Sequence, residues 1–397
     1  DYHDVRGKGG PKRPNKDLST KNIGKQLGLK GKGICPSRYD SHLSRHGGLT
    51  SIKVLRHGKD INVLWCVGLK EEPRVAVSAG LPTSLVGVGL AIAEANGWEF
   101  VRNPFDVIRK KDKYDRMVYV TDNRFDTVEV GRQMPVNHVI FYLVSEGPVR
   151  TNITKFVNKH YVVAPTKFVK DMLERKGVRV DAVIPHGIHI PEKVRPVSEK
   201  NGFFYRAYYI PRKYPSYGLK ALEEYVKRHG SDGIDIYLVG PPHFPKDLEL
   251  KTRFSFMKMK NPIPSEEMAQ LYDTHLFYLN FSDAEGFGLT PLEAMSYGEI
   301  VITPYYPAIR DYLPVDCNIA VGVKSYWLER LDYEYILHAE YDPEDFLKAM
   351  EIAREMAEGD RKELERWSYC NRETAKKYDY KYVYGKVFRE FVLSTLK

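Results

Sequence analysis

The sequence has few cysteines and no long apolar run. The first argues against a metal site or a disulfide-rich protein, and the second argues against a membrane-spanning protein. Its four cysteines are far apart, and neither they nor the twelve histidines show the spacing of a metal site, so we predict free thiols, no metal and no cofactor. No apolar stretch reaches the length of a transmembrane helix, and no signal peptide is visible. The expectation is a cytoplasmic protein. The cysteines are Cys35, Cys66, Cys317 and Cys370.

Acidic residues are scarce at the amino-terminal end. Residues 1–60 hold 14 Lys and Arg but five Asp and Glu, an excess equal to the net charge of +9 of the whole chain. The basic, Gly-rich stretch at residues 7–16 is typical of a solvated tail, and we predict that residues 1–30 are a leader that is disordered in part. The alternative is a basic patch that contacts nucleic acid, or phospholipid headgroups at the inner face of a membrane.

Buried-strand patterns alternate with helical patterns along the remaining chain, which is long enough for two domains. Such alternation favours parallel sheets covered by helices on both faces. We therefore predict an α/β fold with two Rossmann-like, doubly wound domains, separated near the polar residues 191–202. The strand patterns are INVLWCV, RMVYVTD, HVIFYLVS and YVVAP in the first half, and FFYRAYYI, IDIYLVG, HLFYLNF and EIVITP in the second.

The most informative stretch is SDAEGFGLTPLEAMSYG at residues 282–298. Its glycines fall where a strand is followed by a helix, the place where open α/β sheets bind phosphorylated ligands. Thr290, Pro291 and Glu293 match a helix start, with Thr as the N-cap, Pro at the first helical position and Glu three residues after the cap. Backbone N–H groups before the helix and the helix dipole predict a site for a diphosphate.

Glu285 and Glu293, with GFG between them and EAM after, resemble the motif of family four of the retaining glycosyltransferases of the GT-B fold (glycosyl transferases group one). That motif runs E-G-F-G-L-x-x-x-E-A-M-A-x-G-x-P. Here Ser296 replaces an Ala, Glu299 follows the Gly, and the final Pro is absent. VDAVIPHGIHIP, FFYRAYYIPRKYPSYGLKALEEYV and IDIYLVGPP are similar to further family segments. The likeness is strong from about residue 159 to residue 304 and weak before it.

This resemblance implies two domains facing across a cleft, as in GT-B enzymes. Residues 31–195 would bind the acceptor, residues 200–378 a nucleotide-diphosphate sugar, and the helix at residues 379–397 would pack back on the first domain. The implied reaction is metal-independent transfer of a sugar, with retention, to an acceptor hydroxyl. The sequence does not identify the acceptor, which would be a glycan, a lipid-linked glycan or a protein glycan.

The resemblance also implies roles for single residues. Glu285 would bind the transferred sugar, and Arg212 and Lys213 would stabilise the departing diphosphate, with Arg206 as an alternative to this pair. These three, Glu285, Arg212 and Lys213, are the predicted catalytic residues. The predicted donor-binding residues are Phe287, Gly288, Leu289 and Thr290, through backbone N–H groups, and Glu293, through the ribose hydroxyls. For Glu293 a purely capping role is the alternative.

Three further residues are candidates for the sugar or acceptor side. Gly47 and Gly48 resemble a Gly-Gly loop that family members place near the reacting centre, and a plain turn is the alternative. Glu146 follows the strand HVIFYLVS, and an ordinary surface loop is its alternative. Two other functions stay open, namely a transferase that glucosylates nucleic acid and a non-catalytic nucleotide-sugar-binding protein.

Overall fold

The computed structural model describes residues 50–56, 59–65, 72–80, 83–122, 125–148, 153–208, 210–239, 254, 256–260, 263–331, 335–359 and 361–396. Gly47, Gly48 and the predicted leader at residues 1–30 lie outside these ranges, as do Cys35 and Cys66. The chain divides into two units, Asp1–Glu72 and Pro73–Lys397.

In the first unit, β1 (Thr50–Arg56) and β2 (Lys59–Trp65) form an antiparallel hairpin. Our prediction that INVLWCV contributes to a parallel sheet is therefore wrong, although a strand is present. A connection of two residues can join only antiparallel neighbours, because a parallel pair needs a crossover of a dozen residues or more.

The second unit contains two six-stranded sheets, and all strand pairs in both are parallel. The first sheet has the order β4 (Glu99–Phe100), β3 (Val75–Ala79), β5 (Arg116–Thr121), β6 (Val139–Leu143), β7 (Tyr161–Ala164) and β8 (Ala182–Val183). Its helices are α1 (Thr83–Asn96), α2 (Pro104–Arg109), α3 (Phe125–Gln133), α4 (Thr154–Val157) and α5 (Lys167–Glu174).

Successive residues of these strands face opposite cores. Val77 and Val118 pack with Ile92 of α1, whereas their neighbours Ala76 and Met117 belong to the core on the other face. Helices thus cover both faces, which explains why the central strands read as continuous apolar runs.

The second sheet has the order β11 (Lys258–Met259), β10 (Ile234–Val239), β9 (Asn201–Tyr208), β12 (His275–Leu279), β13 (Ile300–Pro304) and β14 (Ile319–Val321). Its helices are α6 (Ser216–His229), α7 (Ser265–Thr274), α8 (Leu289–Ser296), α9 (Pro343–Glu358) and α10 (Arg361–Lys376). The predicted α/β fold with two Rossmann-like domains is confirmed. The domain boundaries named above stay predictions.

An antiparallel hairpin that the sequence did not predict stands between β14 and α9. Its strands are β15 (Val323–Arg330) and β16 (Tyr335–Tyr341). The backbone N–H of Leu337 donates to the carbonyl of Glu146, which lies just after β6 of the first sheet (3.0 Å). The N–H of Ala339, on the same strand, donates to the carbonyl of Asp283 after β12 (2.8 Å), so the hairpin contacts segments of both sheets.

The chain ends on the first sheet. α11 (Tyr380–Tyr382), a π-helical turn (Val383–Phe388) and α12 (Arg389–Ser394) follow one another, and their apolar residues share a core with α1. The side-chain amide of Asn96 donates to the carbonyl of Tyr384 (3.1 Å). Among the helices of the described ranges, none is long and apolar enough to cross a membrane.

Cys317 and Cys370 form a disulfide, with their Cα atoms 6.3 Å apart. The prediction of free thiols is wrong for this pair. Cys317 ends a short 3-10 turn and Cys370 lies on α10, where the next side chain, Asn371, donates to the Cys317 carbonyl (3.2 Å). Their separation of 53 residues gave no hint of contact because α10 packs against that turn only in the folded chain.

Candidate active site

The strand order of the second sheet reverses between β9 and β12. β10 and β11 lie on the far side of β9, whereas β13 and β14 lie beyond β12. Open parallel sheets bind ligands at such a switch point, just beyond the carboxyl ends of the strands. The segment after β9 carries Arg212 and Lys213, and the segment after β12 carries Glu285. Topology alone therefore brings the predicted catalytic residues together.

Lys213 forms an ion pair with Glu285, and both side chains are largely buried. The Tyr205 hydroxyl donates to the Lys213 carbonyl (2.7 Å) and fixes the short turn Pro211–Lys213 on β9. Burial, and next the positive charge of Arg212, hold the pKa of the Lys213 amine well below its usual range. An additional anion close by would favour the charged ammonium, so this site is suited to a phosphorylated ligand.

Arg212 pairs with Glu146, which lies after β6 of the first sheet. Its guanidinium also donates to the carbonyl of Ala284, the residue before Glu285 (3.2 Å). The structure thus places Glu146 against the basic pair, on the side that the first sheet supplies. Two cations and two carboxylates face one another where the carboxyl ends of both sheets meet.

Helix α8 begins at Leu289, and its N-cap is Gly288 in the left-handed conformation (φ 88°). The prediction that Thr290 caps the helix and that Pro291 opens it is wrong. Gly288 accepts a positive φ at little cost, so the chain turns into the helix earlier. Thr290 therefore lies at the second position of the helix rather than at its cap.

Phe287 does not present its ring to a ligand. The ring is buried, stacks on Tyr312 (5.2 Å between centroids) and meets the edge of His186 (4.9 Å). Burial lowers the pKa of His186 to about 3, so this side chain is a neutral packing group between the two sheets. Only the backbone of Phe287 remains for the predicted role. Leu289 is partly buried against both cores.

Glu293 lies on α8 and turns toward β9. Its carboxylate accepts a hydrogen bond from the Tyr272 hydroxyl (3.0 Å) and pairs with Arg206 (3.6 Å). Because the helix begins at Leu289, Glu293 lies beyond the first turn, and the capping-box alternative is wrong. About a third of its side chain stays exposed (34%). Arg206, the alternative to the basic pair, therefore forms an ion pair with Glu293.

Sequence reasoning missed several polar residues around these groups. Tyr272, Tyr217, Asp283 and His338 come from four separate elements and loops, and each is hydrogen-bonded at or next to the site. Asp283 lies two residues before Glu285, in the stretch at residues 282–298, and this position is the one signal that could have found it. In the ranges that the structure covers, no cluster of three or more His, Cys, Asp and Glu is arranged to hold a metal ion. Metal independence stays a prediction.

The chain was compared with known proteins. No family model matches it. A putative glycosyltransferase 63 of Sulfolobus islandicus filamentous virus is 30% identical over 172 residues, which are 42% of this chain and 56% of the relative. The chain thus spans about half the length of this curated relative.

Solved structures of glycosyltransferases are similar in fold. A glycosyltransferase from Rickettsia africae has a TM-score of 0.57 at 13% identity, covering 82% of this chain and 99% of its own. TarM has a TM-score of 0.51 at 12% identity, and the match covers 78% of this chain and 58% of TarM. The pneumococcal O-GlcNAc transferase GtfA, solved with UDP and GlcNAc, has a TM-score of 0.50 at 15% identity (73% and 59%). The chain therefore has the fold of these glycosyltransferases.

Proposed function

We propose that this chain is a glycosyltransferase that moves a sugar from a nucleotide-diphosphate sugar to an acceptor hydroxyl. The observation that carries the proposal is the meeting of Arg212, Lys213 and Glu285 at the switch point of a Rossmann-like sheet. Support comes from the relative that bears a glycosyltransferase name and from the complex of GtfA with UDP and GlcNAc. A nucleoside diphosphate is the ligand chemistry that a buried basic pair next to a helix start suits best.

In this proposal the donor exchanges places with two carboxylates. The diphosphate would replace Glu146 on Arg212 and Glu285 on Lys213, and the backbone N–H groups at the start of α8 would add further donors. Preorganised donors of this kind stabilise the charge that grows on a leaving group, often as the largest contribution to catalysis. Glu285, released from Lys213, would face the sugar, and Glu293 would accept hydrogen bonds from the ribose.

The proposed step breaks the bond between the anomeric carbon and the diphosphate oxygen through an oxocarbenium-like state. The acceptor oxygen bonds to the same face of that carbon, and its proton passes to the leaving phosphate oxygen. The proposed reaction retains the configuration of the sugar, needs no metal, and uses a glycan, a lipid-linked glycan or a protein glycan as acceptor. A cytoplasmic location is also a proposal, and so is contact of the basic residues 1–30 with membrane or nucleic acid.

The test is a thermal-shift panel of UDP-, GDP-, ADP- and dTDP-sugars, followed by a turnover assay with each sugar that raises the melting temperature. A donor at about 100 times its Kd should stabilise the folded chain by roughly 2.7 kcal/mol. Glu285→Gln should keep that shift but lose at least about 100-fold in turnover. Glu355→Gln, an exposed acid on α9, is the matched control and should behave as wild type.

Three outcomes are decisive. If no nucleotide sugar shifts the melting temperature, the chain is not a nucleotide-sugar enzyme. Binding without turnover in the wild type would favour a non-catalytic binding protein. Normal turnover in Glu285→Gln would remove Glu285 from the mechanism.

A further inference from the structure

His338 on β16 is buried between two carboxylates. Its Nδ1 lies 2.8 Å from a carboxylate oxygen of Asp283, and its Nε2 lies 3.1 Å from one of Glu329. A neutral imidazole has one N–H and can donate at one nitrogen, whereas an imidazolium donates at both. Carboxylates at both nitrogens therefore select the charged form of His338.

The surroundings of the ring favour the same form. Trp327 is the cross-strand partner of His338, and its indole stacks on the imidazole. The ring centroids are 4.0 Å apart and the angle between the ring planes is 6°, an arrangement that attracts a cation. Burial opposes the charge, but the hydrogen bonds and charges of Asp283 and Glu329 outweigh it, and the pKa of His338 is raised above its usual value.

The second oxygen of Asp283 accepts a hydrogen bond from the Tyr217 hydroxyl on α6. Two more charges act on this network, because Lys213 interacts with Asp283 and Glu340 interacts with Tyr217. Asp283 thus receives hydrogen bonds from β16 on one oxygen and from α6 on the other. Its carboxylate is held on both sides.

The backbone of Asp283 connects this network to the candidate active site. Its N–H donates to the carbonyl of Arg212 (3.0 Å), and its carbonyl accepts from the N–H of Ala339 (2.8 Å). The next residue, Ala284, accepts from the Arg212 guanidinium, and Glu285 follows it. Fixing Asp283 therefore fixes both the Arg212 segment and the turn that carries Glu285.

We propose that His338, as an imidazolium, is a positioning residue that holds Asp283 and, through it, Arg212 and the Glu285 turn. The consequence for ligands rests on the proposed function: a nucleoside diphosphate should bind more tightly when His338 is charged. The direction of this pH dependence follows from the raised pKa of His338. The contribution of charged His338 to ligand affinity is complete just below the unperturbed pKa of about 6.5 and is lost as pH rises through the folded pKa.

The first test needs no ligand. The imidazole of His338 is titrated by NMR and assigned by its loss in His338→Gln, and it should titrate above the unperturbed value of about 6.5. Hydrogen exchange at residues 283–288, corrected for intrinsic rates, should be about tenfold faster in His338→Gln at low pH. His229→Gln is the matched control. His229, at the end of α6, also contacts a carboxylate, that of Glu351 on α9, but it has no part in the network around Asp283.

The second test uses UDP as the probe. The ratio of UDP affinities, wild type over His338→Gln, should be about tenfold near pH 6. It should approach one at a pH well above the folded pKa that NMR gives, where wild-type His338 is neutral. Protons that UDP itself gains or loses cancel in this ratio. A packing role for His338 predicts the same ratio at both pH values, which would overturn the proposal.

The two tests separate two kinds of failure. If wild type does not bind UDP or any nucleotide sugar, the proposed function fails, and NMR with exchange still decides the role of His338. If His338 titrates at or below its unperturbed pKa, or if exchange at residues 283–288 is unchanged in His338→Gln, the positioning role is wrong whatever the chain binds.

Discussion

At the scale of single residues, the site is a balanced set of charges rather than an open basic patch. Lys213 is paired with Glu285, and Arg212 with Glu146. Unpaired cations at this depth would be costly, so the carboxylates stabilise the protein while no anion is bound. A donor diphosphate would take over the role of both carboxylates.

Glu293 allows the ribose role to be separated from a structural role. We expect Glu293→Ala to weaken UDP binding by about tenfold, roughly 1.4 kcal/mol, because a ribose hydroxyl loses its acceptor. The free energy of unfolding should fall by less than about 1 kcal/mol, since the carboxylate is partly exposed and its ion pair with Arg206 is long. Calorimetry with UDP and urea unfolding measure the two quantities.

Glu363→Ala, on the exposed face of α10, is the control for that experiment. It should change neither quantity. A Glu293→Ala protein that binds UDP normally but unfolds more easily would show that Glu293 serves only to hold Tyr272 and Arg206.

At the scale of helices and strands, buried parallel strands were the most predictable elements. HLFYLNF, EIVITP and YVVAP became β12, β13 and β7, because a strand covered on both faces must be apolar throughout. The start of α8 was less predictable. It depends on the left-handed Gly288, whose carbonyl accepts from the Tyr312 hydroxyl (2.6 Å), a contact that local propensity does not encode.

Contacts between distant elements could not be predicted at all. The motif pointed to Glu285, and the resemblance pointed to Arg212 and Lys213, but the pairing of Arg212 with Glu146 depends on how the two sheets meet. His338 lies on a hairpin that the sequence did not predict. Its strand β15 is largely exposed, so β15 lacks the apolar pattern that marks a buried strand in the sequence. The disulfide was missed for the same reason, because only tertiary packing brings its cysteines together.

The disulfide yields a prediction for α10. Cys317–Cys370 closes a loop of 53 residues, so Cys370→Ser should lower the free energy of unfolding by about 4 kcal/mol in the chain-entropy account. Urea unfolding with and without reductant measures this. Reductant should destabilise the wild type and leave the double variant Cys317→Ser/Cys370→Ser unchanged. Equal sensitivity of both proteins to reductant would contradict a stabilising role for this bond.

At the scale of the whole molecule, the carboxyl ends of two parallel sheets meet, and each contributes a carboxylate or a cation to one set of charges. The Thr166 hydroxyl, after β7, donates to the carbonyl of Gly286 (3.1 Å), and β16 adds a backbone hydrogen bond to Glu146. Groups held by the first sheet therefore lie beside the segments that follow β9 and β12 of the second. Such an arrangement suits a reaction between a donor and an acceptor carried on separate domains.

A crystal structure of the chain with UDP would show directly whether the diphosphate takes the place of the two carboxylates. We predict the diphosphate on Arg212 and Lys213, with its oxygens toward the N–H groups at the start of α8 and with Glu146 and Glu285 moved off the two cations. Glu293 should accept from the ribose. UDP bound away from β9 and β12, with both ion pairs intact, would show that the diphosphate does not replace the two carboxylates.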